Sequence, residues 1–328
     1  MVDALLPIHE PEPPGGLPRR QPPDQRPGRG YALVVLAASC FIVNAGVARV
    51  AMDAGVPADR LAGLRSVGTA AALLLIVVAL RRVRRLRVSL TEVPWLLLYG
   101  VVGVALLQVS YFVAIHRLPV GIALLLEYLA PVLIALWAWL VQRRPVRARL
   151  WPALALALVG LALVTKLWDA GALDPFGVAM GLTAAVCFST YFLAGEHLVR
   201  HRDVLSVAFW GFAISGVFWS LVRPWWTFDA EVLSATTELF GDVVTPVWVL
   251  VLWVVLLGTL VPYGADTAAL RYLPATIVSL IAMLEPVGAA ALAWVWFAES
   301  LAGVQILGGL TVIVGIVLAQ TSRPTATD

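Results

Sequence analysis

The chain has 328 residues, of which 61% are hydrophobic and only 13% are charged, and its formal net charge is +3. A soluble domain has about half apolar and about a quarter charged residues, so this composition excludes an ordinary soluble domain and indicates a protein that faces a lipid bilayer. No basic patch with interleaved aromatic residues is present, so nucleic acid is not expected as a partner.

The N-terminal segment 1–30 holds eight Pro, four Gly and four Arg. Such a segment cannot bury enough apolar surface to offset the entropy of ordering it, so we predict a disordered tail. No apolar run precedes this tail, so no cleavable signal peptide is expected. The first apolar run is predicted to act as the insertion signal.

Ten apolar runs follow the tail, separated by arginine clusters or by proline and glycine. Each run approaches the roughly 20 residues that a membrane-spanning helix needs, and none alternates as a strand of a membrane barrel would. The sequence therefore predicts an all-α polytopic membrane protein with ten transmembrane helices. The predicted spans are, in chain order, 31–50, 58–80, 93–115, 119–141, 150–167, 175–198, 204–222, 246–269, 274–297 and 301–320.

The distribution of arginine predicts the orientation of these spans. With the N-terminus in the cytoplasm, most of the 23 basic residues fall on the cytoplasmic side, including the clusters at 81–87 and 143–149. The longest outer loop, 223–245, carries acidic residues instead. The positive-inside rule therefore predicts that both termini, including the tail 321–328, lie in the cytoplasm. The expected location of this multi-pass protein is the cell (plasma) membrane.

Two stretches of the chain repeat each other. The segment HRLPVGIALLLEYLAPV (116–132) resembles RYLPATIVSLIAMLEPV (271–287), and CFIVN (40–44) resembles CFSTY (187–191). Matching segments at a nearly constant offset indicate an internal repeat. The sequence therefore predicts two halves of five helices each.

An odd number of spans in each half makes the second half enter the membrane upside down relative to the first. The charges agree, because the basic RRPVRAR (143–149) of the first half aligns with the acidic ESLAGVQ (299–305) of the second. Inverted repeats are typical of secondary transporters, whose halves exchange conformations to open on either side. We therefore predict two inverted five-helix repeats, at 31–167 and 175–320.

Four ionisable residues lie inside predicted spans, namely Arg65, Glu127, Asp266 and Glu285. A charge at mid-span costs about 2.5–3.5 kcal/mol on insertion scales, so such groups are candidates for function. For Glu127 and Glu285, permanent pairing with Arg65 or with a helix end is the alternative. Arg65 itself either binds a substrate carboxylate or extends to the outer surface.

The repeat also aligns polar residues of the two halves. Gln108 and Tyr111 align with Tyr263 and Asp266, and the members of each pair are three residues apart, on one helix face. These faces are predicted to shape or bind a substrate. The remaining candidates, which either line the same cavity or hydrogen bond within the bundle, are Asn44, Tyr191 and Tyr128.

The two glutamates are related by the repeat but are out of register. Glu127 aligns with Ala282 and Glu285 aligns with Ala130, so each half offers a glutamate on the same helix face, about one turn apart. We predict that both reach one central cavity. Burial disfavours the charged form of a carboxylate, so such a group can take up a proton and release it when a cationic substrate group approaches.

Several catalytic signatures are absent from the sequence. It contains no HExxH, no GxSxG, no GxGxxG after a strand and no Walker-type phosphate-binding motif. These motifs carry the chemistry of metalloproteases, hydrolases and ATP-driven pumps, so no catalytic residue, cofactor or metal site is expected. Cys40 and Cys187 lie within predicted spans and are interpreted as packing residues. Transport is predicted to use an ion gradient, of protons in view of the buried carboxylates.

Over residues 31–320 the chain resembles the EamA family of the drug/metabolite transporter superfamily, and its threonine/homoserine exporter branch in particular. The resemblance rests on Arg65 and on the segments LPVGIALLLEYLAPV, LPATIVSLIAMLEPV and FAESLAGVQILGGLTVIVG (297–315). It implies a secondary carrier, usually an exporter of amino acids or related metabolites. It also implies a central cavity formed by the first four helices of each half, with the fifth and tenth helices outside.

The hypothesis from the sequence is a proton-coupled efflux carrier for a small amphipathic metabolite such as an amino acid. The expected partners are this small-molecule substrate, protons and the lipid bilayer, and a homodimer is left open. A drug or other metabolite carrier of the same superfamily is the first alternative. A membrane-embedded lipid-modifying enzyme is the alternative from a different class.

Overall fold

The computed structural model describes residues 27–143, 146–169, 172–224, 227–239, 243–296 and 302–320. Most of the predicted N-terminal tail, the C-terminal tail 321–328 and the start of the 297–315 segment lie outside the described residues. The first helix begins at Pro27, so the last four residues assigned to the tail are helical.

Ten helical segments account for most of the described chain. All of them except the fifth and the tenth are long and apolar enough to cross a membrane, while those two are apolar but shorter. The molecule is therefore a multi-pass membrane protein built of helices, and the count of ten spans stays a prediction. The segments are α1 (Pro27–Asp53), α2 (Ala58–Ala79), α3 (Val93–Arg117), α4 (Val120–Leu140), α5 (Leu150–Val164), α6 (Pro175–Val199), α7 (Val204–Val222), α8 (Val247–Ala269), α9 (Ala275–Trp296) and α10 (Gly303–Gln320).

A small β-hairpin lies in the connection between α7 and α8. Its strands β1 (Thr236–Glu238) and β2 (Val244–Pro246) are antiparallel, with Thr237 opposite Thr245. A single turn of helix, Glu231–Ser234, precedes β1. Among the described residues this hairpin is the one departure from the all-α prediction, and the hydropathy of its segment gave no sign of strands.

The helices α4 and α9 are each interrupted close to the predicted glutamates. The first consists of Val120–Glu127 and Ala130–Leu140, and the second of Ala275–Ala282 and Leu284–Trp296. Pro131 and Pro286 explain both breaks. Proline has no backbone N–H, so the carbonyl group four residues earlier loses its helical partner. In α4 this carbonyl belongs to Glu127 itself.

Two π-helical stretches occur at matching places in the two halves. Residues Leu98–Leu106 of α3 and Leu256–Leu260 of α8 have this wider geometry. In the second stretch, the Thr259 hydroxyl donates a hydrogen bond of 2.7 Å to the carbonyl of Val254. Such stretches are rare and often lie at functional sites. Each one here ends a few residues before an aligned pair of candidate residues.

The two halves pack across each other around the core. Helix α3 lies against α6 and α7, α1 lies against α8 and α9, and α2 lies against α7. Large side chains with almost no exposed surface fill the centre, among them Tyr99, Tyr128, Tyr191, Phe192 and Phe212.

The shorter helices α5 and α10 pack mainly against each other. A Cβ atom added at Gly160 would lie 2.6 Å from the carbonyl oxygen of Gly308, and one added at Gly315 would lie 2.8 Å from that of Ala153. The absence of side chains at these glycines lets the two backbones touch, as is common between membrane helices.

Candidate functional site

One cavity of ≈ 140 Å³ lies where the two halves meet. Its wall is formed by α1, α2, α3 and α4 of the first half and by α6, α8 and α9 of the second. The structure places all ten candidate residues around it. The lining residues are Phe41, Asn44, Arg65, Leu107, Gln108, Tyr111, Phe112, Leu124, Glu127, Tyr128, Phe188, Tyr191, Tyr263, Asp266 and Glu285.

Five apolar lining residues were not among the candidates, because an apolar side chain in a membrane helix gives no signal by itself. Two of them could have been found. Phe41 and Phe188 occupy the same position in the repeated segments CFIVN and CFSTY, next to the pair Asn44 and Tyr191 that the repeat did identify. The other three, Leu107, Phe112 and Leu124, carry no comparable signal.

The two glutamates reach the cavity from the breaks in their helices. Glu127 is the last residue of the first segment of α4, and Glu285 is the second residue of the second segment of α9. The Tyr128 hydroxyl donates a hydrogen bond of 2.9 Å to Glu285 Oε2. Glu127 and Glu285 also interact electrostatically. The offset of one turn between them is therefore compatible with a shared cavity, and Tyr128 bridges the two helices.

Arg65 forms part of the cavity wall and lies on an aromatic ring. Its guanidinium carbon is 5.7 Å from the centroid of the Tyr263 ring, which is within the range of a cation–π interaction. Arg65 also interacts electrostatically with Glu285. Its Nε atom is buried and has no hydrogen-bond partner among the described residues. The arginine thus presents a donor to the cavity.

Aromatic side chains hold Tyr263 in place. Its ring makes edge-to-face contacts with Phe41, Tyr191 and Phe212, with centroid distances of 5.2, 5.7 and 5.1 Å. Such contacts favour one orientation of each ring. The position of Arg65 over Tyr263 is consequently fixed by residues of both halves.

Several buried polar atoms in the cavity wall have no partner among the described residues. They are Asn44 Oδ1, both amide atoms of Gln108 and Asp266 Oδ1, in side chains that are only 8%, 5% and 4% exposed. Buried polar groups in proteins almost always form hydrogen bonds, and each exception needs an explanation. A polar ligand or water in this cavity would satisfy all three side chains.

Gly258, in the π-helical stretch of α8, makes room for Asn44. A Cβ atom at Gly258 would lie 1.8 Å from Asn44 Oδ1, so the Asn44 amide would have to shift if any other residue stood at 258. The glycine therefore allows the amide of Asn44 to reach its place in the cavity wall.

The carboxylates of the cavity do not form a metal site. Within the described parts of the chain, no three His, Cys, Asp or Glu side chains are close enough together to hold a metal ion. The arrangement instead offers three acidic groups on three different helices, one cationic group and a set of amide and phenol groups. Such a set suits an organic molecule that carries charges at separate points.

A protein-family model matches most of the chain. The model of the EamA-like transporter family matches residues 28–166 and again residues 175–321. Each match covers five of the predicted spans, the first ending one residue before the end of the span 150–167.

Relatives of known activity are similar over most of their length. The threonine/homoserine exporter RhtA of Escherichia coli (strain K12) is 29% identical over 77% of this chain and 78% of its own. RhtA of Salmonella typhimurium (strain SL1344) is 29% identical over 73% and 75%. The pseudopaline exporter CntI of Pseudomonas aeruginosa (strain UCBPP-PA14) is 28% identical over 90% and 97%.

A solved protein crystal structure has the same fold. It superposes with a TM-score of 0.70 at 18% sequence identity, and the match covers 89% of this chain and 97% of the other. At this identity the likeness concerns the fold alone.

Proposed function

Because the chain belongs to the EamA-like transporter family, we propose that it is a secondary active transporter that exports a small amphipathic metabolite, such as an amino acid, in exchange for protons. The observation that carries this proposal is the cavity of ≈ 140 Å³, in which ionisable and polar side chains of both halves meet. The exporter relatives support a small-molecule substrate moved outward.

In the proposed cycle, the two halves open the cavity alternately to each side of the membrane. Glu127 is the coupling acid, supported by Glu285 and Asp266. A carboxylate that stays charged in such a site without a cation carries a large desolvation cost. It is therefore occupied either by a proton or by the cationic group of the substrate, and this competition couples the two fluxes.

The remaining side chains are proposed to orient the substrate. Arg65 offers the cation for a substrate carboxylate. The unpartnered amides of Asn44 and Gln108 offer hydrogen bonds. The three tyrosines Tyr111, Tyr191 and Tyr263 shape the apolar part of the wall. We place the protein in the plasma membrane with both termini in the cytoplasm, as the arginine distribution predicts.

The size of the cavity favours a metabolite over a drug. Pockets for drug-sized ligands measure about 300–1,000 Å³. A cavity of ≈ 140 Å³ is less than half of the lower value. The drug carrier, which was the first alternative from the sequence, is therefore disfavoured.

Flux into proteoliposomes tests the proposal. With the vesicle interior more acidic than the bath, outward proton movement should drive uptake of labelled homoserine or threonine, and a protonophore should abolish it. Glu127→Gln should remove the response to the pH gradient. The matched control is Glu231→Gln, at an exposed acid in the α7–α8 connection, which should transport like the unmodified protein.

Two results would contradict the proposal. Full, pH-dependent transport by the Glu127→Gln variant would remove Glu127 from the mechanism. Substrate flux in the unmodified protein that does not respond to the pH gradient would refute proton coupling.

A further inference from the structure

The cavity contains more acidic than basic groups. Among the described lining residues, the three carboxylates of Glu127, Asp266 and Glu285 share the space with one guanidinium, that of Arg65. A substrate with one ammonium and one carboxylate group would bring no net charge to balance this excess. The excess of acidic groups in the cavity wall therefore favours a substrate with a net positive charge.

One of the three carboxylates already has partners in the protein. Glu285 interacts electrostatically with Arg65 and accepts the hydrogen bond from Tyr128. These contacts offset part of the cost of burying its charge in the absence of a substrate. Glu285 is thus the least available of the three acids for a cationic ligand.

The other two carboxylates, those of Glu127 on α4 and Asp266 on α8, each interact electrostatically with Glu285, and no interaction between the two is recorded among the described residues. They come from opposite halves of the protein. Neither has an ion-pair partner within 4.0 Å among the described residues. They form two separate acidic positions in one cavity.

A second observation points to a ligand at the Asp266 position. Asp266 is only 4% exposed, lines the cavity, and has a buried Oδ1 atom without a hydrogen-bond donor among the described residues. Two further acceptors of the cavity wall, Asn44 Oδ1 and Gln108 Oε1, are also unpartnered, beside the donors Gln108 Nε2 and Arg65 Nε. An ammonium group donates up to three hydrogen bonds and carries the complementary charge.

A metal ion does not fit these positions. Among the described residues, no three acids, histidines or cysteines are grouped closely enough to hold an ion. Two carboxylates on different helices suit two cationic groups of one organic molecule.

We propose that the preferred substrate of this transporter is a small diamino acid. One ammonium group binds at Glu127 and the other at Asp266, while the substrate carboxylate binds at Arg65. This inference rests on the proposed function, whose central cavity it uses, and it names the charge class of the substrate. It also implies that two protons leave the cavity when the substrate binds, one from each uncompensated acid.

Homoserine and diaminobutyrate form a matched pair of probes. They have the same carbon skeleton, and an ammonium group in diaminobutyrate replaces the side-chain hydroxyl of homoserine. Transport of both compounds by the unmodified protein in proteoliposomes should show a KM at least about tenfold lower for diaminobutyrate, because a close buried charge pair contributes a factor of ten or more to affinity. This comparison needs no variant.

The variant Asp266→Asn then identifies the position of the second ammonium group. It should raise the KM for diaminobutyrate by about tenfold more than it raises the KM for homoserine, because only diaminobutyrate carries a second ammonium group to lose its partner. Glu231→Gln serves as the control, and the melting temperature of each variant shows whether it is folded.

The outcomes separate the two proposals. Homoserine transported as well as or better than diaminobutyrate would overturn the diamino acid inference and leave the proposed function intact. An Asp266→Asn variant that is folded and weakens both substrates equally would also overturn it. If neither compound is transported, both the proposed amino acid export and the inference fail.

Discussion

Tyr128 on α4 and Glu285 on α9 are joined by a hydrogen bond of 2.9 Å across the two halves of the protein. Each residue lies beside the break in its helix, and both line the cavity. The bond holds one acid of the cavity in place from the opposite half. Any movement that separates α4 from α9 must break it.

Substitution Tyr128→Phe removes this bond and keeps the ring. A buried hydrogen bond to a charged group contributes about 1.5–3 kcal/mol, so we expect a lower melting temperature and a several-fold lower transport rate. Tyr111→Phe is the matched control, because the Tyr111 hydroxyl lines the same cavity without a hydrogen bond recorded among the described residues. Equal effects of the two substitutions on both measurements would show that the bond to Glu285 has no special role.

Gly258→Ala should impair the site through Asn44. The added methyl group would lie 1.8 Å from Asn44 Oδ1, so the amide must move out of the cavity wall. Overpacking of this kind costs about 1–3 kcal/mol, and transport should fall together with stability. Flux and thermal unfolding check this expectation.

Gly264→Ala, in the same helix, is the control for that substitution. A Cβ atom at Gly264 meets nothing within 4 Å, and alanine is favoured over glycine inside helices. This variant should be neutral or slightly more stable. If Gly264→Ala impairs transport as much as Gly258→Ala, the effect belongs to helix α8 in general and not to the contact with Asn44.

Glu196→Ala should destabilise the start of α9. The Glu196 carboxylate, on α6, accepts a hydrogen bond of 3.2 Å from the backbone N–H of Ala275, the first residue of α9, and forms an ion pair with Arg200. No side chain of the α9 segment caps this helix end. Loss of a cap costs about 0.5–2 kcal/mol, which thermal unfolding measures. Glu231→Ala, at an exposed acid, should leave the melting temperature unchanged.

Acid should weaken the start of α6 through Asp174. The hydrogen bond from the backbone N–H of Gly177 lowers the pKa of Asp174; partial burial opposes this, and Arg117 adds to it. A carboxyl group with a lowered pKa in the folded state stabilises the fold at neutral pH. This contribution begins to fade near pH 3.8, the ordinary pKa of aspartate, and disappears as the pH falls through the lower folded value.

The measurement is the melting temperature as a function of pH. Asp174→Asn should show a smaller decrease on acidification in this range than the unmodified protein. Asp169→Asn, in the same connection, is the control and should follow the unmodified protein. An unchanged acid response in Asp174→Asn would show that the cap at Gly177 does not contribute.

The membrane nature of the fold and the family could be predicted from the sequence. Long apolar runs are costly in water whatever their neighbours are, so composition and run length suffice to place helices in a bilayer. The EamA resemblance, which rested on Arg65, on the two Leu-Pro to Pro-Val segments and on the segment 297–315, is confirmed by the match of both halves to the family model. The inverted topology of the halves stays a prediction.

The backbone details could not be predicted. The sequence treated 119–141 and 274–297 as continuous spans, although α4 and α9 are broken near their prolines. It gave no sign of the π-helical stretches either. Hydropathy does not distinguish α-helical from π-helical backbone, since both bury the same apolar side chains in lipid.

The sequence by itself identified the candidate functional residues, because an ionisable group in a lipid-spanning helix is costly wherever the helix packs. Only the tertiary structure decided that these residues share one cavity of ≈ 140 Å³, that Tyr128 contacts Glu285, and that Glu127 and Asp266 each interact with Glu285. These relationships depend on distances between helices that are far apart along the chain. Such distances are set by the packing of the whole bundle, and no local pattern of residues encodes them.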